Sequence, residues 1–266
     1  KPRMPNARIY SVESINAGAD ASGVEVEKLR GKKFGSMIDA IMMLDDAVID
    51  VGASNVEDFM KMMQQYDGSH EEIDIFVVPT VKEKKVQADT VNTVRALRAL
   101  NIPAKKIRIV FNKLDVEESP SEEFPSIYGL ASGEKACIVS DAATIRMNEV
   151  FARLKSHGKA LGDLLEEPTD YRQKLREATE QAEKEHCVQM VALKRLSVTA
   201  NENLDQVFKA TTKGTGGPAQ YGKPLRPRCW AKLMTWCSGL KTWPGRSKGR
   251  NPAMKPARRR CSMRPT

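Results

Sequence analysis

Cysteine is scarce where it could brace a fold: of the five present, only Cys137 and Cys187 precede residue 214. That excludes a disulfide framework and fits a reducing, cytoplasmic setting. No apolar run reaches the length of a membrane span and no signal peptide is recognisable, so no membrane span is expected. The three histidines, His70, His157 and His186, share no motif with carboxylates or cysteines. Hydrolysis by a histidine-based triad therefore finds no support. Acidic residues vanish from one region altogether, since Gly214–Thr266 holds thirteen Lys or Arg and no Asp or Glu.

That last absence relocates the charge. The chain of 266 residues carries a formal +9, yet residues 1–213 hold 30 basic residues against 34 acidic ones. The body is mildly acidic and the basic character belongs to the tail, which also holds Trp230, Trp236 and Trp243. A compositional boundary falls near Lys213. Cys229 and Cys237 lack the spacing of a zinc site. Two readings of the tail stand side by side. Its Arg-Pro-Arg and Arg258–Arg260 clusters suit DNA or an anionic surface. Its lack of acid and periodicity suits a read-through or shifted-frame extension, and an unstructured tail over 214–266 is the expectation carried forward.

The body alternates strand-like and helix-like segments. Ala7–Val12, Ala47–Val51, Ile73–Val78 (stopped by Pro79), Ile107–Phe111 and Ala136–Val139 read as strands. Phe34–Leu44, Lys84–Leu100 and Ile145–Ser156 carry apolar residues at helical spacing. Ser54-Asn55 reads as the cap of a helix to about Gln65, with Glu57 as its capping-box partner. Beyond Pro168 come a long charged helix, Tyr171–Arg195, and a shorter one near Asn203–Lys209. The β-α-β-α-β-α-β order predicts an α/β fold with a parallel sheet covered on both faces, and ligands at the C-terminal strand ends.

Two strand ends there carry chemistry. Asp50, in Asp50-Val51-Gly52-Ala53-Ser54, is placed to hold Mg²⁺ beside a nucleotide phosphate, with Gly52 allowing close backbone approach. Asn112 and Asp115, in Asn112-Lys113-Leu114-Asp115, offer the donors and acceptors that read a purine edge. Each also reads as an ordinary polar turn after a strand. Their joint occurrence, in this order and separated by one strand and one helix, is the stronger signal.

On these residues the chain resembles a P-loop ATPase of the ParA/MinD group, in its plasmid-stability and conjugal-transfer (StbB/TraL-like) branch, over residues 6–213. The resemblance implies a parallel-sheet P-loop NTPase fold and an ATP- and Mg-dependent switch that dimerises and serves plasmid stability and partition, with a link to conjugation. It assigns Asp50 to the Mg²⁺ site and catalysis, Gly52, Ala53 and Ser54 to a switch turn, Asn112 to the adenine, and Asp115 to a weaker base contact. The loop Glu13-Ser14-Ile15-Asn16 falls where the group places switch residues, with Asn16 as the matching position and Glu13 a departure. Plasmid-encoded stability or transfer proteins, and plasmid DNA, are the implied partners.

One hallmark is missing: no G-x-x-x-x-G-K-[ST] loop occurs anywhere in the sequence. The reading therefore expects about thirty N-terminal residues to be missing, with the first strand and the loop that cradles phosphates. It divides the chain into a partial nucleotide-binding domain (1–167), C-terminal helices (168–213) and the basic tail (214–266). Weak ATP binding, or no cofactor in this chain, follows, as does an unpaired edge beside the Asp50 strand. A non-catalytic adaptor, or a DNA-binding accessory protein working through the C-terminal helices and tail, is the alternative.

Overall fold

The computed structural model describes residues 3–12, 31–156, 159–213 and 228–233. Six parallel strands form one sheet: β1 (Arg8–Val12), β2 (Asp46–Val51), β3 (Ile75–Thr80), β4 (Ile107–Leu114), β5 (Thr144–Arg146) and β6 (Arg228–Leu233). Their spatial order is β1-β2-β6-β3-β4-β5. Every ladder is parallel, so all strand C-termini emerge on one edge. The α/β class and the parallel sheet expected from the sequence are both present.

Period-two patterning in β2 explains how the sheet is covered. Ala47, Ile49 and Val51 are buried, whereas Asp46, Val48 and Asp50 are half-buried. The first set joins Phe76, Val78, Ile107, Ile109 and Phe111 in a core closed by α1 (Gly31–Met42), α2 (Val56–Gln65), α3 (Lys84–Ala99) and α5 (Pro125–Gly133). Phe34 of α1 meets Phe59 of α2 edge-on at 5.6 Å between ring centres. On α3 the stripe expected from the sequence is the packed face, with Val94 and Leu97 fully buried. The short helix α4 (Pro120–Glu123) leads into α5.

The opposite face has its own core, where Val110 and Ile145 meet α6 (Val150–Ser156), α7 (Leu161–Glu166), α8 (Tyr171–Glu177) and α9 (Gln181–Thr212). The residues read as C-terminal helices therefore form the second helical layer on the sheet.

Several expectations are corrected. Pro79 does not stop its strand: β3 runs through to Thr80 with Pro79 opposite Val110. It lies two residues beyond the last described β3–β6 pair, Val77 with Lys232, so no described ladder is interrupted on that side. Ala136–Val139 is not a strand. Ile138 makes an isolated bridge to Arg108, then the chain turns, and β5 forms at Thr144–Arg146. The helix expected from Ile145 consequently begins at Val150. The long helix expected over Tyr171–Arg195 is broken at Ala178, whose backbone is extended, and α9 then continues without interruption through Asn203–Lys209.

The largest correction concerns the tail. Residues 228–233 form β6, which pairs with β2 on one side and β3 on the other. The edge of β2 expected to stand unpaired is filled, and the segment expected to be wholly disordered contributes a central strand.

Candidate functional site

The C-terminal edge of the sheet gathers the sequence-derived residues. Asp50 is the penultimate residue of β2, with Ser11 of β1 and Lys232 of β6 at its register positions on either side. The turn that follows is tied to β1 by two donors on one acceptor. The Val12 carbonyl takes the Gly52 N–H at 2.9 Å and the Asn55 side-chain amide, also at 2.9 Å. Gly52 has φ −64° and ψ 150°, so extended backbone, not glycine's special freedom, shapes the turn. Ala53–Asn55 form one 3₁₀ turn before α2.

This overturns the capping expectation. Asn55 stands at the N-cap of α2 with a helical backbone (φ −114°, ψ −1°) and no side-chain capping bond, and its NH2 group donates to the Val12 carbonyl. Buried and reaching across to β1, it fixes the turn that presents Gly52, Ala53 and Ser54.

Asn112 emerges on β4, on the same sheet face as Asp50. Three strand spacings across and four residues along separate their backbones, about 19 Å in all. Asn112 is only 2% exposed, and its side-chain oxygen accepts the Lys113 N–H at 2.9 Å. Lys113 itself has φ 59°, so this bond stabilises a left-handed residue at the strand end. Asp115 follows in an exposed position, with its carboxylate 4.0 Å from Lys82 Nζ.

Around Asp115 the structure adds residues that the sequence did not single out. The Asp115 N–H donates to the Glu118 carboxylate and the Glu118 N–H to the Asp115 carbonyl, closing a tight turn. Arg146, from the end of β5, donates to the carbonyls of Asp115 (2.6 Å) and Glu118 (2.8 Å). Lys82, from the loop after β3, pairs with Glu118. The Lys82 bond holds the Glu118 carboxyl below the usual range, and Glu118 in turn holds the ammonium up. Asn203 of α9 orients Arg146, accepting its N–H and donating to the Thr144 carbonyl. The β4 loop is thus clamped from both neighbouring strands. Sequence offered no signal, since partners 28 to 36 residues apart meet only once the strands align.

Thr80, closing β3 on the same edge, is fully buried, and its hydroxyl has no hydrogen-bond partner among the described residues. Asn16 and the loop Glu13–Ile15 lie outside the described residues. Among the described residues no group of three or more His, Cys, Asp or Glu could hold a metal ion. No helix among them is long and apolar enough to cross a membrane.

Compared with protein-family models, curated proteins and solved structures, the chain matches none.

Proposed function

We propose that this chain is a nucleotide-dependent switch protein of the ParA/MinD type, serving plasmid stability and partition with a link to conjugative transfer. One observation carries the reading. The Asp50–Ser54 turn and the Asn112–Asp115 strand end come off the same edge of one parallel sheet, on strands that are not neighbours. That is the arrangement in which such sheets hold an extended ligand across their strand ends. Their separation suits a ligand of nucleotide length better than a single small ion.

In this reading Asp50 orders the water shell of Mg²⁺ and supports phosphoryl transfer, while Gly52, Ala53 and Ser54 respond to the terminal phosphate. Asn112 and Asp115 face the adenine, and Asn16 belongs to the switch loop after β1. The clamp of Lys82, Glu118 and Arg146 keeps the base-side loop in place. Because the sequence has no Gly-rich phosphate loop, affinity for ATP is weak. A homodimer, plasmid-encoded partners and plasmid DNA complete the proposal.

Calorimetric titration of the full chain with ATP and Mg²⁺ tests it. Weak, Mg²⁺-dependent binding that Asp50→Ala abolishes is expected. No binding at millimolar ATP would refute the nucleotide reading, and tight binding would refute the weak phosphate grip.

A second reading, a non-catalytic adaptor, is favoured by the burial of Asn112 and the use of its oxygen within its own turn. Retained binding of a partner protein by the Asp50→Ala variant would select it.

A further inference from the structure

Central strands of parallel sheets are ordinarily near-continuous apolar runs, because both of their faces are covered. β6 reads Arg-Cys-Trp-Ala-Lys-Leu and lies between β2 and β3. Two cations in a central strand are costly unless something matches them. In register, Arg228 lies opposite Asp46 and Lys232 opposite Asp50. Both cationic residues of the strand therefore stand at the register positions of both carboxylates of its neighbour, four residues apart on each. We propose that the gap between β2 and β3 is a strand-acceptor site that reads charge, and that Asp46 and Asp50 dock residues 228–233 of the same chain in it.

The face of β2 that carries the two carboxylates is suited to this work. Asp46, Val48 and Asp50 are half-buried while the alternating residues are buried, so charge is tolerated on one face only. A slip of one residue would bring the cations onto the apolar face against Ala47, Ile49 and Val51. A slip of two would pair neither cation with a carboxylate. Two opposite-charge pairs at fixed spacing thus select one register, where a purely apolar strand would leave several open.

The chain's own length makes the same molecule the donor. Arg108 of β4 donates to the Lys213 carbonyl, anchoring the end of α9 two strands away from the gap. The 14 residues from 214 to 227 reach up to about 46 Å when extended. Two strand spacings across and four residues along amount to about 16 Å. No nucleotide enters this reasoning, but Asp50 is shared with the Mg²⁺ site proposed above, so docking and nucleotide binding compete for one carboxylate and the test is run without nucleotide.

A disulfide trap tests it, because Ala47 is the register partner of Cys229. Adjacent parallel strands hold such Cα atoms about 4.8 Å apart, inside the range a disulfide spans. The parent for the test is the full chain with Ala47→Cys, and with Cys237 and Cys261 changed to Ser. Oxidised glutathione should close an intramolecular bond that Cys229→Ser abolishes. Adding Asp46→Lys and Asp50→Lys should slow closure about tenfold, as two attractions become two repulsions. Adding Arg228→Glu and Lys232→Glu as well should restore it. Where the Lys variants fail to fold by circular dichroism, Asp46→Asn with Asp50→Asn should slow closure in the same direction by less. Equal closure rates in all variants would overturn the charge reading. No bond in a folded parent would overturn the docking, and a bond between chains would assign the strand to a second copy.

Discussion

Lys106 shows how one side chain can secure a strand entry. Its ammonium donates to the carbonyls of His70, Glu71 and Ile73, all in the turn that leads into β3. Burial pushes its pKa down, yet three acceptors and the nearby Asp74 favour the charged form. Lys106→Met keeps the aliphatic stem and removes the donor to these carbonyls, of which His70's keeps the Ile73 N–H, so stability should fall by about 1–3 kcal/mol in urea unfolding. Thr80 predicts the opposite sign. Its buried hydroxyl has no partner among the described residues, so Thr80→Val removes a desolvation cost and should raise stability by about 1–2 kcal/mol. A thermal melt decides it, and a lower midpoint would mean that the hydroxyl is used. Asn55 was legible only as a cap. Its actual bond to Val12 depends on β1 and β2 lying side by side, which residue type and spacing do not encode.

Among elements, the α7–α9 layer depends on a polar knot around Glu167. That carboxylate accepts from Lys159 Nζ at 2.7 Å and from the Tyr171 hydroxyl. Lys194 of α9 donates to the carbonyls of Glu167 and Thr169, with its ammonium 5.4 Å from the centre of the Tyr171 ring. The Lys159 bond, followed by the Tyr171 bond, holds the Glu167 carboxyl below its ordinary range. A depressed carboxyl contributes stability that is complete above its unfolded value, about pH 4, and lost as the pH falls through the folded one. Glu167→Gln should therefore flatten the acid limb of a stability–pH profile below about pH 4, by about 1 kcal/mol or less. A limb as steep as the parent's would assign the acid sensitivity to other carboxyls. The same layer held one misread break. Leu-Arg-Glu-Ala-Thr-Glu-Gln looks helical throughout, but Ala178 turns extended as it packs, and tertiary contact overrides propensity. The strands β2 and β4 and helix α3 were legible because burial on one face or both leaves a plain hydrophobic period.

In the whole molecule, the order of layers and the shared strand edge follow from β–α alternation, and so could be read in advance. The centre of the sheet could not. Cations four residues apart in a basic tail resemble solvated chain, and only the register of β6 against β2 sets Arg228 and Lys232 opposite carboxylate positions. That strand also sets the order of events during synthesis. β2 and β3 leave the ribosome well over a hundred residues before the segment that lies between them. Until residue 233 has emerged, each must wait with an open edge, and the nascent chain is at its most vulnerable to misassociation. Closing the sheet joins residues about 150 to 180 positions apart, a high-contact-order step that belongs to slow folding. A segment made long after both of its neighbours, not one made between them, completes this core.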